Sequence, residues 1–268
     1  DAKYRSQLDE RGDPLPVPKK PGEFMDARVV AAEDGDYAIN TIQSVYLNNG
    51  HQPVTLPPQT QPTIGDRLSE KGVDWAWYSE GLDLASAPNR TEQQDRYLAG
   101  AVRFQWHHQA FNYFTRFDPT TPAGFLQRLR HLRDAAHLEA DIRAGVLPPV
   151  TFYKPSGPLN QHPGYADLDV GDAQVGRIAA ALAQSPMKDS YVLVVTYDEN
   201  GGFWDHAAPP MGAGAGARAD FLGPGSRVPA IVVSPFARKG AVDHSEYDTG
   251  SILKFIPERH GLTPLPSP

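Results

Sequence analysis

The sequence predicts an α/β protein built around a buried, mostly parallel sheet, and three observations carry that expectation. Residues 191–197 (Tyr-Val-Leu-Val-Val-Thr-Tyr) form a short apolar and β-branched run, the kind that suits a strand covered on both faces. Further strand-like runs at 73–78, 149–154 and 227–234 are separated by helical patterns, which is the rhythm of α/β folds. The run at 191–197 also stops abruptly at two adjacent carboxylates, Asp198 and Glu199, before Gly201 and Gly202. In open α/β sheets, ligands collect where strands end at their carboxyl edge.

Residues 1–20 are charged, contain prolines and show no periodicity. A strand-like stretch follows at 37–46, and Pro53, Pro57, Pro58 and Pro62 make 53–62 an extended linker. A helix is expected from Thr63, whose hydroxyl suits an N-cap, with Asp66 in the first turn and a Lys71-Gly72 stop. Residues 79–103 are polar and read as irregular or loosely helical. The stretch 104–114 is dense in aromatics and holds the adjacent His107 and His108. Spaced leucines with charges between them predict one amphipathic helix over 125–143, stopped at Gly145. Val175, Ile178, Ala179 and Leu182 place another over 171–184, ahead of the strand at 191–197. A last helix is expected over 248–256, cut by Pro257 and finished by His260-Gly261. The small-residue run at 211–217 reads as a flexible lid or insertion, because it lacks the Lys-Ser/Thr and following helix of a phosphate loop.

At 268 residues the chain can bury one large core or two modest ones. A formal net charge of −7 argues against general binding to a nucleic-acid backbone, which needs clustered Lys and Arg. No apolar run approaches the length needed to span a bilayer. The sequence holds no cysteine, so any metal must be held by carboxylates, imidazoles or amides.

Four clusters bear chemistry: His107-His108, His162 within 160–164, Asp198-Glu199 and Asp205-His206, with Asp243-His244 a weaker fifth. The acidic pair suits a hard cation or acid/base work, while Asp198 alone equally suits a strand end that caps a turn. His162 lies just beyond the strand at 149–154, which places it toward the same sheet edge as Asp198. Imidazoles and carboxylates converging there suit metal-assisted attack on a phosphorus or carbonyl centre. In an extended segment only one of His107 and His108 points into a site. No Gly-x-Ser-x-Gly elbow is present, and Ser156 and Ser234 follow strands with no evident base beside them.

Several strings resemble the bacterial phosphoesterase family that contains acid phosphatases and non-haemolytic phospholipases C. They are Thr-Tyr-Asp-Glu-Asn-Gly-Gly-Phe-Trp-Asp-His at 196–206 with Pro209-Pro210, Asn-Gln-His-Pro-Gly-Tyr at 160–165, and the stretches 227–235 and 242–256. Thr-Ile-Gly-Asp-Arg-Leu at 63–68 and Phe-Gln-Trp-His-His-Gln at 104–109 extend the likeness from about residue 40 to the end. The resemblance implies a three-layer, alkaline-phosphatase-like fold with a central, mostly parallel sheet and helices on both faces. It implies a divalent or trivalent metal ion on the acidic pair Asp198 and Glu199, and a phosphate site lined by His107, His108 and His162. It further implies that residues 1–268 are the C-terminal portion of one phosphoesterase domain. The family's Glu-Asn metal motif and serine nucleophile belong to an N-terminal portion that this chain lacks and would take as a partner. Export to the periplasm or outside the cell also follows from the likeness.

The His-His-Gln run favours the acid phosphatase branch, in which phosphate monoesters are hydrolysed through that serine. There His107 or His108 contacts the phosphate, His162 protonates the leaving oxygen or also touches the phosphate, and an acid optimum suits protonated imidazoles. The alternatives are phospholipase C action on phosphodiester headgroups, with Trp75, Trp77 and Tyr78 as candidates for a choline-like group, and a non-catalytic metal-binding half.

Overall fold

The computed structural model describes residues 44, 46, 57–99, 103–209 and 225–266. The strand expected over 37–46 and the run at 211–217 lie outside them, save for Ser44 and Tyr46.

Helix α1 (Ile64–Glu70) starts where expected. Thr63 Oγ1 accepts from the Asp66 amide at 3.3 Å, and Asp66 Oδ2 accepts from the Thr63 amide at 2.6 Å, a reciprocal capping box. Strand β1 (Trp75–Ser79) follows and is the middle of a parallel sheet in the order β2-β1-β3, with β2 at Leu132–Asp134 and β3 at Val150–Lys154. Ser79 pairs in register with both Asp134 and Lys154, so three strands finish at one carboxyl edge.

The alternation of β1 divides the interior into two cores. Trp75, with half-buried Trp77 beside it, faces a core holding Leu68, Phe111, Phe117, Ile256 and Leu262. Ala76 and Tyr78 face the other, made by Leu138 and Ile142 of α5 (Leu138–Ala144) and Ile178 and Leu182 of α6 (Leu168–Gln184). Helices therefore cover both faces of β1, the layering expected. In the first core the Trp75 indole stacks on His131 at 4.2 Å with 6° between planes, and His131 Nδ1–H donates to the Trp75 carbonyl at 2.9 Å. In the second, the Tyr78 hydroxyl donates to Asp141 Oδ2 at 2.5 Å, and burial pushes its pKa up to about 12. Trp75, Trp77 and Tyr78 are thus structural, and the choline-binding role considered for them falls away.

Two expectations about elements are corrected, and a third is made more definite. The single helix over 125–143 is two helices, α4 (Pro122–His131) and α5, parted by β2 and a 3-10 turn at Ala135–His137. Asp134 enforces the break, since its carboxylate accepts from the amides of Ala136 (2.9 Å) and Asp83 (3.0 Å) instead of facing solvent on a helix. The polar stretch after β1 carries the short helices α2 (Leu82–Ser86) and α3 (Glu92–Ala99). Finally, α7 (Thr249–His260) runs through Pro257 and stops at Gly261, which sits at φ 61°. The proline is buried with Ile256, and its carbonyl still accepts the Leu262 amide at 3.0 Å, so the helix end is closed.

The larger correction concerns the strand at 191–197. It forms β4 (Leu193–Thr196), paired antiparallel with β5 (Ala230–Val233) as a separate two-stranded unit. Leu193 and Tyr191 pack toward α6, while Val194, Ile231 and Val232 are exposed. Among the described residues the sheet is therefore mixed and divided, and only its three-stranded part is parallel and covered on both sides.

A Cβ added at Gly65 would lie 2.3 Å from Trp75 Cζ2. Gly65→Ala is expected to lower stability by about 1–3 kcal/mol through overpacking, read as a drop in melting temperature; an unchanged melt would mean the indole is not fixed there.

Candidate active site

Four segments meet at the carboxyl edge. The first is a 3-10 turn, Trp106–His108, held by aromatic anchors: Trp106 packs edge-on to buried Phe104 with ring centroids 5.0 Å apart. The next residue, Gln109, is fully buried, and its Nε2 donates to Ser79 Oγ at 3.0 Å, which ties the turn to the end of β1. The turn leaves both His107 and His108 half-buried, with ring centroids 4.5 Å apart and planes at 82°. The constraint expected of an extended segment therefore does not apply, and both rings feel the charges of Lys154, Asp198 and His162.

The second segment is the loop at 160–165. His162 is exposed, its amide donates to Asn160 Oδ1 at 2.9 Å, and its Nδ1–H donates to the Pro163 carbonyl at 2.7 Å. That bond leaves Nε2 as the outward nitrogen, in the tautomer it requires. The ring stacks on Tyr165 at 4.4 Å, and the Tyr165 hydroxyl accepts from Gln105 Nε2, one residue before the histidine turn. The third segment is the end of β4, where the Tyr197 hydroxyl donates to Gln161 Oε1 and so fastens this strand to the same loop. The fourth is the end of β3, where Lys154 Nζ donates to Asp198 Oδ2 at 2.7 Å.

Asp198 and Glu199 are adjacent in sequence but differently engaged. Burial works against ionisation of Asp198, yet the hydrogen bond and charge of Lys154 outweigh it and hold the carboxyl below its ordinary range. Glu199 turns back on its own chain, accepting the Gly201 amide at 2.6 Å while Asn200 Oδ1 accepts the Gly202 amide at 2.7 Å. Gly201 and Gly202, at φ 64° and 77°, supply the left-handed backbone this turn needs. Among the described residues no three His, Asp or Glu side chains gather closely enough to share a metal ion.

The remaining clusters serve local structure. Asp205 receives the Arg227 guanidinium at 2.7 and 3.1 Å, and Asp243 accepts the Ser245 amide at 2.9 Å. Trp204, two residues after Gly202 and just before Asp205, is 84% exposed. Lys154 escaped the sequence reading. The signal available was the rule that singled out Asp198: a charged residue at the end of a strand-like run lies on the ligand edge.

Burial first, and then the charges of Lys154, His107 and His162, push the His108 pKa down to about 3, and burial followed by Lys154 lowers His107. His108 stays neutral into mildly acidic solution and His107 is displaced in the same direction, which weakens the protonated-donor rationale for an acid optimum at these two positions.

The sequence profile of the Phosphoesterase family matches residues 18–263, and the chain belongs to this family. It is 29% identical over 242 residues to phospholipase C B of Mycobacterium tuberculosis, covering 80% of this chain and 43% of that protein. With the non-hemolytic phospholipase C of Burkholderia pseudomallei it shares 30% over 225 residues, 74% of this chain and 31% of the relative. With the non-specific phospholipase C6 of Arabidopsis thaliana the figures are 33% over 254 residues, 77% and 48%. The chain thus spans less than half the length of each of these relatives. They are named as phospholipases C, so the preference for the acid phosphatase branch is not the one the comparisons support.

An unfolded histidine takes a proton near pH 6.5, whereas His108 resists until about 3. The unfolded state therefore binds more protons between those values. The stability contributed by neutral His108 is complete above about pH 6.5 and is lost progressively as pH falls. His108→Asn is expected to flatten the decline in melting temperature between pH 7.5 and 5; an unaltered slope would show that His108 titrates normally.

Proposed function

We propose that this chain carries the phosphate-recognition side of a phosphoric ester hydrolase, and that phosphodiester headgroups of phospholipids are its substrate class. The observation that supports the reading is the convergence of His107, His108 and His162 on the Lys154–Asp198 pair. Neutral imidazoles donate hydrogen bonds to phosphoryl oxygens without first losing a proton, and in a half-buried site such bonds strengthen as charge grows on those oxygens. His162 is the group for proton transfer to the leaving oxygen: it is exposed, and its outward Nε2 can receive and return a proton while Nδ1 stays on the Pro163 carbonyl.

The nucleophile of this reading is a serine of the longer protein. Ser79 is taken by Gln109, and the Ser234 hydroxyl donates to the Tyr191 carbonyl at 2.7 Å. The diester is preferred over the monoester because the relatives carry phospholipase C names, and because exposed Trp204 offers an aromatic face to a cationic headgroup near the acidic turn.

Hydrolysis of p-nitrophenyl phosphorylcholine and p-nitrophenyl phosphate, measured side by side on the protein that carries this chain, tests the proposal. Faster turnover of the diester is expected, with His162→Asn lowering kcat by roughly 10²–10⁴-fold and leaving the melting temperature in place. Faster monoester turnover would restore the phosphatase reading, and no turnover of either ester would remove the hydrolase reading.

A further inference from the structure

We propose that Tyr165 and Gln161 are positioning residues for His162: the tyrosine fixes the plane of the imidazole, and the glutamine fixes the backbone from which it projects. The inference rests on the reading of His162 as the proton-transfer group and goes beyond it by naming the side chains that hold the ring in place.

His162 stands exposed on a loop, where a histidine without a task turns freely between rotamers. Holding such a ring costs conformational entropy, and an exposed position offsets little of it by apolar burial. Yet this residue is held at four points. Its Nδ1–H donates to the Pro163 carbonyl at 2.7 Å, and its face lies on Tyr165 with ring centroids 4.4 Å apart and 18° between planes. Its amide donates to Asn160 Oδ1 at 2.9 Å, and its carbonyl accepts the Ala166 amide at 3.1 Å.

The stack would fix nothing if Tyr165, 39% exposed, were itself free. Its hydroxyl is anchored, accepting from Gln105 Nε2 and from Asn160 Nδ2, the latter at 3.3 Å. Gln105 caps the turn that carries His107 and His108. Tyr165 therefore spans from that turn to the face of His162 and sets one imidazole relative to the other two.

Gln161 holds the backbone. It sits at φ 63°, in the left-handed region that a residue with a long side chain enters at a cost. Asn89 is the other described non-glycine residue there, and asparagine tolerates that region. The glutamine is kept in place from two elements. Its Nε2 donates to the Leu168 carbonyl at the start of α6 at 2.7 Å, and its Oε1 accepts the Tyr197 hydroxyl at the end of β4. Its stem lies on Gly171, where an added Cβ would come within 2.3 Å of Gln161 Cγ. Strain of this kind persists only where the surroundings over-determine it, and it clusters at functional sites. The chemistry explains the need. As the bond to the leaving oxygen breaks, Nε2–H passes its proton to that oxygen while Nδ1–H stays on the Pro163 carbonyl, and the transfer requires hydrogen-bond reach that a rotated ring loses.

The test is a double-mutant cycle on the whole protein that carries this chain, with p-nitrophenyl phosphorylcholine as substrate and thermal melts on each variant. Y165L is expected to lower kcat about tenfold or more with KM within about threefold of the parent, and Y165F, which keeps the stack without the hydroxyl anchor, to fall between them. Q161G is expected to lower kcat about fivefold or more, although glycine is the residue this backbone conformation favours. Combined with H162N, neither change has a further effect: Y165L/H162N and Q161G/H162N match H162N within about twofold, because a positioning residue acts only through the group it positions. Q161G carries the test if Y165L does not fold. Losses of the same size in the H162N background would make the two residues general supports of the fold and overturn the proposal. Parental kcat in Y165L and Q161G would overturn it too, as would a rise in KM alone, which would make Tyr165 a substrate contact. H162N with parental turnover would remove His162 from the chemistry and this assignment with it, whereas a parent inert toward the ester would remove the hydrolase reading itself.

Discussion

The constraint on which the rest of this structure depends is that β1 is buried on both faces. A strand in that position must present apolar side chains with a period of two to two different environments, and Trp75-Ala76-Trp77-Tyr78 does so with large groups. Each face then needs its own cover. Helix α1, the aromatic turns at 104–117 and the end of α7 close over Trp75, and α5 and α6 close over Ala76 and Tyr78. Two polar side chains there have partners that fix geometry, His131 on the Trp75 carbonyl and Tyr78 with Asp141 and Arg133, while Trp77 Nε1 is buried without one. The parallel pairing that results sets the ends of β1, β2 and β3 side by side, and this alignment places Lys154 beside the histidine turn.

The electrostatic character of the site follows from the same packing. The aromatic residues that anchor the turn at 106–108 also withdraw His107 and His108 from water, and burial is the largest influence on each ring. The lysine that depresses them further is held by a carboxylate from a different sheet. Two buried imidazoles, one held cation, its carboxylate partner and one exposed imidazole thus come from four separate segments, linked through Gln109, Tyr165 and Tyr197. These three tether residues contribute no chemistry by themselves, but each joins two parts of the edge that would otherwise be independent.

Much of the fold was legible in the sequence where a local pattern had a single physical meaning. Thr63 with Asp66 three residues on marks a capped helix start, Gly145 marks a left-handed stop, and the apolar positions of α6 repeat at helical spacing. Legibility failed where one pattern fits two structures. The leucines of 125–143 suit a continuous helix as well as two helices around a three-residue strand, and only the distant Asp83 amide, bonded to Asp134, shows the difference. The apolar run at 191–197 looks the same whether its outer face is covered or not. In the site, His162 and Asp198 were readable as neighbours on one sheet edge, where α/β folds concentrate function, whereas His107 and His108 joined them only through the family resemblance. Lys154 was not readable, since a lone lysine after a strand forms no motif. The acid phosphatase branch was favoured on a His-His-Gln run, whereas the names of the relatives favour the phospholipase C alternative.

The division between the two sheets has a consequence for motion. Local opening free energies rise with buried apolar contact and fall where backbone hydrogen bonds face solvent. Lys154 stands on a strand within the doubly covered unit, while Asp198 hangs from a two-stranded ribbon whose Val194, Ile231 and Val232 are open to water. The site is therefore mounted half on the last part of the molecule to open and half on one of the first. Its ion pair senses the ribbon's excursions, so the lysine can be released and recaptured by fluctuations that leave β1 and both cores intact.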